Sequence, residues 1–197
     1  MPVELPELLV PDAAGLRAWL KDHHAVSDGV RLVLGRASGT ETTLTWAQAV
    51  EELLCYGWID GQGGKRDEGS YTIRITPRRG KSSWSKRNVG LVEQLEKQRR
   101  MRAAGRAAVE AAKADGRWAA AYAGQSEAEV PQDLLEAIAA EPEAQRMFDV
   151  LTRSNKFTLY HRLLSVKRAE TRERKIREFV AMLARHEAPH PQKARPT

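Results

Sequence analysis

Trp58, Asp60, Arg74, Arg78, Arg79, Trp84 and Lys86 fall within one stretch, LLCYGWIDGQGGKRDEGSYTIRITPRRGKSSWSK, from Leu53 to Lys86. Each type suits a particular partner. An indole offers a broad flat face that stacks on rings or holds a cation. Guanidinium forks match the paired oxygens of phosphate or carboxylate. A helix beginning near Ser85 adds backbone donors beside Lys81, Lys86 and Arg87. Together these residues predict a basic cleft lined by Trp58 and Trp84, with an anionic or aromatic small molecule, or a peptide, as its ligand. A second reading stands beside it: the two indoles pack the sheet against a helix, and the cations form a solvated surface.

Asp60 alternates onto one strand face with Trp58 and Gln62. If the hairpin closes with Asp60 near Arg74, the two form a cross-strand ion pair worth about 0.2–1 kcal/mol. A carboxylate beside a guanidinium stays ionised and accepts protons poorly at neutral pH. That favours binding over acid–base catalysis at Asp60, which remains the enzyme alternative. Other nucleophiles and ligands give weaker signals. Cys55 precedes Gly57 at a helix end with no neighbouring histidine to activate it. His161 falls on the apolar side of a helix and reads as a packed residue. The remaining histidines lack acidic or cysteine partners at metal-ligand spacing. Gly61, Gly63 and Gly64 lack the lysine and strand-to-helix turn of a phosphate loop. No metal and no cofactor is expected.

The elements that must carry these residues are marked by local signals. Asp12 is placed to cap a helix through Leu16 and Leu20. Val30 to Leu34 reads as a strand. Thr45 and Gln48 form a capping box for a helix that Gly57 ends in a left-handed turn. Trp58 to Thr76 reads as a hairpin tipped by Asp67-Glu68-Gly69, with Tyr71, Ile73 and Ile75 on one face and Thr72, Arg74 and Thr76 on the other. Helices follow: one from near Ser85, one through AAGRAAVEAAKA, one opened by Pro131 and Asp133, a short one from Glu143, one capped by Ser154 with Phe157, Tyr160, Leu163 and Leu164 inward, and one near Glu170 to Arg185. The fold class predicted is α+β, a small antiparallel sheet with helices in the N-terminal half and a helical C-terminal half. The expected parts are 1–84, 85–187 packed on it, and a flexible tail 188–197.

Composition sets the class. The chain has 197 residues, 42% hydrophobic and 29% charged, with a net charge of +6, which suits a globular protein. The N-terminus lacks a basic region before an apolar run, and a single cysteine excludes an internal disulfide. Both point to a reducing cytoplasm without membrane insertion. Charge is blocked: residues 61–110 carry 13 basic and 5 acidic side chains, and residues 151–197 carry 12 and 4. Basic blocks favour anionic partners, nucleic acid among them, or dock on the acidic blocks between them. No helix-turn-helix, zinc or aromatic-sheet pattern supports nucleic acid further.

Ala49 to Gly61 (AVEELLCYGWIDG) resembles a signature of the YdeI/OmpD-associated, or bacteriocin-protection, family. Thr76-Pro77-Arg78-Arg79 with Trp84-Ser85-Lys86, Met101 to Trp118 with Gly105 and Asp115-Gly116, and Ser154-Asn155 with Glu170-Thr171-Arg172 and Arg174-Lys175-Ile176 fit the same pattern, from about Leu16 to Glu187. The resemblance implies a role in protection against bacteriocins and antimicrobial peptides and a link to an outer-membrane porin. It implies no settled reaction, cofactor or catalytic set.

Overall fold

A computed structural model describes residues 5–36, 39–124, 128–164, 166 and 168–196. The chain forms two compact units, residues 1–121 and 122–197. The fold class is α+β, as expected.

In the first unit, Asp12 caps α1 (Ala13–His23) by accepting from Gly15 N at 2.9 Å. Thr45 and Gln48 close both arms of the capping box on α2 (Trp46–Cys55). Ser85 caps α3 (Lys86–Lys97), and α4 (Ala103–Ala114) follows. The sheet has the order β1-β2-β4-β3, from β1 (Glu7–Leu8), β2 (Val30–Gly35), β3 (Trp58–Lys65) and β4 (Ser70–Pro77). β2–β4 and β3–β4 are antiparallel, whereas β1, two residues of the proline-bounded lead-in, pairs parallel to β2.

Val30, Leu32, Leu34, Ile73 and Ile75 alternate onto the helix-facing side and share one core with Leu16, Leu20, Leu53, Leu54, Val92, Leu95 and Val109. α3 and α4 therefore belong to the first unit's core, and the break lies at 121/122 rather than at the expected 84/85. α4 docks closely. A Cβ at Gly57, whose φ is +72°, would lie 2.8 Å from Ala104 O, and one at Gly105 would lie 2.7 Å from Leu54 O. Arg102 N donates to Cys55 O at 3.0 Å across the same junction. Arg17 and Arg100 both donate to Glu52, a carboxylate only 1% exposed.

The second unit packs α5 (Gln132–Ala139), α6 (Pro142–Asp149), α7 (Arg153–Leu164) and α8 (Ala169–Ala184) around Leu134, Ile138, Met147, Leu159, Leu163, Phe179 and Leu183. The phase of α7 differs from the reading above. Thr152, not Ser154, accepts from Asn155 N, and Asn155, Leu159 and Leu163 are buried while Leu164 is 45% exposed. The inward turn of Asn155 has a partner: its amide donates to His190 O and Gln192 Oε1 and accepts from His190 N at 2.8 Å. The segment expected to be a flexible tail is thus hydrogen-bonded to α7. His161 is exposed and meets the rings of Tyr122 and Phe157 rather than packing inward.

Candidate functional site: a basic depression at the end of β4

The indoles expected to line a cleft are core residues. Trp58 is 1% exposed, donates from Nε1 to His24 O at 3.2 Å, and meets Trp19 edge-on at 5.6 Å. Trp84 is also 1% exposed, packs edge-on to Trp118 at 4.9 Å, and carries the Arg78 guanidinium 3.8 Å from its ring centre. Both rings face the helix side of the sheet, where the apolar surface that buries them lies. The cleft lined by these two rings is therefore not formed.

Asp60 does not meet Arg74. A bulge between Asp60 and Gly63 shifts the register, so Asp60 pairs with Ile75 and shares its helix-facing side. There its Oδ2 accepts from Trp46 Nε1 at 3.0 Å, and the Arg87 guanidinium lies over the Trp46 ring, 4.4 Å from its centre. Arg74 points to the opposite face, away from the apolar core, and is exposed. Lys86, the first residue of α3, is exposed and lies outside the depression described next.

What the structure does bring together is Arg74 and Arg79. With Thr76, Pro77, Lys81 and Ser82 they line an open depression of about 300 Å³. Its wall is a fixed loop. Arg78 N donates to Gly57 O at 2.9 Å, Arg79 N to Ser82 Oγ at 3.0 Å, Ser82 N to Arg79 O at 2.8 Å, and Arg78 Nη1 to Ser83 O at 3.0 Å. Arg117 adds a bond to Ser82 O at 2.9 Å. Buried Trp84 supports the loop through Arg78 from beneath. Arg79 lies 3.6 Å from Asp28, with both side chains largely exposed, so solvent screens the pair. Among the described residues Arg74 and Lys81 have no carboxylate partner. Chemically, the site can hold an anion by charge and by hydrogen bonds from guanidinium, ammonium and hydroxyl groups. Thr76 and Ser82 carried no signal of their own in sequence; only the loop's return onto β4 places them beside Arg74.

Two other depressions differ in kind. The one between α3 and α4 has carboxylates in its own lining, Glu93, Glu96 and Glu110, two of which pair with Arg106 and Lys113. The one in the second unit is lined by Val130, Pro131, Leu135 and Phe148 with Glu129 and Gln132. Among the described residues no group of three or more His, Cys, Asp or Glu could hold a metal, and no helix is long and apolar enough to cross a membrane. Cys55 is buried, and burial followed by the charge of Glu52 pushes its thiol up to about 11.

Residues 8–108, more than half of the chain, match a family described as "Domain of unknown function (DUF8412)". The chain belongs to the DUF8412 family. Residues 127–186 of this DUF8412 protein match a second family, described as "Bacteriocin-protection, YdeI or OmpD-Associated". The resemblance drawn from sequence therefore holds for the second unit, and that description fits a bacteriocin-protection type of role. The AVEELLCYGWIDG stretch and the basic depression lie within the DUF8412 match instead. No curated protein and no solved structure matches the chain.

Proposed function

We propose that the protein is a non-catalytic binding protein that holds a small anionic molecule, or the anionic group of a peptide, in the depression at the end of β4, and so contributes to antimicrobial resistance. One observation carries this reading: Arg74, Arg79 and Lys81 converge on one fixed concave surface with almost no local counter-charge. A preorganised loop loses little freedom when a ligand arrives. The bacteriocin-protection description of the second unit supports the biological setting. The aromatic half of the ligand expectation has no exposed indole behind it and is dropped. The lone buried thiol suits a reducing compartment, and the proposed setting is the cytoplasm.

Titration with inorganic phosphate, followed by amide NMR, tests the site. Amides of residues 78–82 should shift saturably, and Arg79→Ala/Lys81→Ala should weaken binding by about tenfold or more. Shifts scattered over the surface, or a double variant that binds like the wild type, would overturn the reading.

A further inference from the structure

The face of the first unit's sheet that turns away from its apolar core carries a charge pattern wider than the depression. Arg31 and Arg74 are direct cross-strand partners on this face, a like-charge placement that costs stability. The two ends of the face are arranged differently. Near the hairpin tip, Arg66 donates to Glu7 on β1, to Glu41, to Asp67 and to Ser70 Oγ on β4. Val33, on β2 between those strands, is fully buried. At the other end the cations outnumber the acids. Among the described residues Arg31, Arg74 and Lys81 have no carboxylate partner. Glu7 is the neighbour of Arg31 in the ladder, yet it is engaged by Arg66. Arg31 donates instead to Thr72 Oγ1 at 3.0 Å and lies over Gly64, whose missing side chain leaves room for the guanidinium.

Every tryptophan and tyrosine of this unit belongs to the helix-side core or packs against it. The face therefore offers forks for anions and no ring on which a base could stack. From Thr72, beside Arg31, to Thr76, in the depression, the strand rise spans roughly 13 Å, more than a single phosphate group occupies. We propose that this face binds a linear polyphosphate chain, with one part seated between Arg74, Arg79 and Lys81 and the rest running along β4 to Arg31. The inference rests on the anion-binding reading above and adds the ligand's class and length. The carboxylates around Arg66 repel the chain beyond Arg31 and end the track there.

Calorimetric titration of the full chain with linear polyphosphate, inorganic phosphate, a single-stranded oligonucleotide and polyglutamate separates the possibilities. Polyphosphate should bind at least about tenfold tighter than inorganic phosphate. Arg31→Gln should remove about tenfold of the polyphosphate affinity, flatten its salt dependence by about one unit of log–log slope, and leave phosphate binding unchanged. Phosphate binding without a polyphosphate gain, or a gain indifferent to Arg31→Gln, overturns the track and spares the depression. No binding of either overturns both. Equal or tighter binding of the oligonucleotide or polyglutamate, with the same dependence on Arg31, overturns polyphosphate as the ligand. Thr72→Val, which removes the hydroxyl that holds Arg31 but keeps its charge, should give an intermediate loss.

Discussion

Trp58 and Trp84 are alike in burial but not in the bonding of the indole N–H. Trp58 Nε1 donates to His24 O, whereas Trp84 Nε1 has no acceptor among the described residues. Replacing either by phenylalanine removes core volume, but only Trp58→Phe also strands a carbonyl. Urea unfolding should find Trp58→Phe the more destabilised by roughly 1 kcal/mol. At Cys55, burial holds the thiol protonated far above neutral pH. A thiol reagent at pH 8 should leave it unmodified in the native protein and modify it at once in denaturant. Rapid native labelling would contradict the buried placement. Residue types alone could not tell a tryptophan that lines a cleft from one that fills a core; the deciding facts were which strand face turned toward the helices, for Trp58, and how the loop before α3 folds onto the core, for Trp84, and both are set by non-local packing.

At the scale of elements, the close approach of α4 to α2 leaves no room for a side chain at Gly105. Gly105→Ala should cost about 1–3 kcal/mol through forced displacement of the helix, read as a lower urea midpoint with the slope unchanged. In the second unit, Asn155→Ala leaves the His190 amide without its acceptor, while Gln192 keeps its bonds to Thr152 N and Val150 O. Hydrogen exchange at His190 should accelerate while α5 and α8 keep their protection. The caps at Asp12 and Thr45, the helix start near Ser85, the left-handed Gly57 and the alternation of β4 were all legible in sequence, because each depends on a few adjacent residues. β1 was not, since a two-residue strand has no period. The Asp60–Arg74 pairing failed because the glycine-rich bulge moves the register by an amount no alternation pattern encodes. The α7 stripe failed because a buried polar residue, Asn155, replaced an apolar one on its inner face. Of the candidate site, Arg74 and Arg79 were found and Lys81 was noted as part of the loop. Arg31 was missed, since a charged residue within a strand reads only as its solvent side.

At the scale of the molecule, each unit has its own apolar core, and an ion pair in the second gives a pH dependence that can be worked out by itself. In the second unit Arg172 bonds Asp133 through both carboxylate oxygens and holds its carboxyl below the usual range. The folded state then binds fewer protons than the unfolded chain. The pair's contribution is present above the ordinary aspartate value and is lost as pH falls through the lowered one, in the window below about pH 4. Asp133→Asn should lower the melting temperature of this unit near neutral pH and shrink its loss on acidification. Equal acid sensitivity in both proteins would mean the pair contributes nothing. The α2–α4 junction carries a different consequence. Backbone there meets backbone through Gly57, Gly105 and the Arg102–Cys55 bond, with no flexible side chain between to absorb a displacement. The end of α2, the start of β3 and the first turn of α4 must therefore travel as one rigid piece. Any breathing of the first unit has to find its hinge elsewhere.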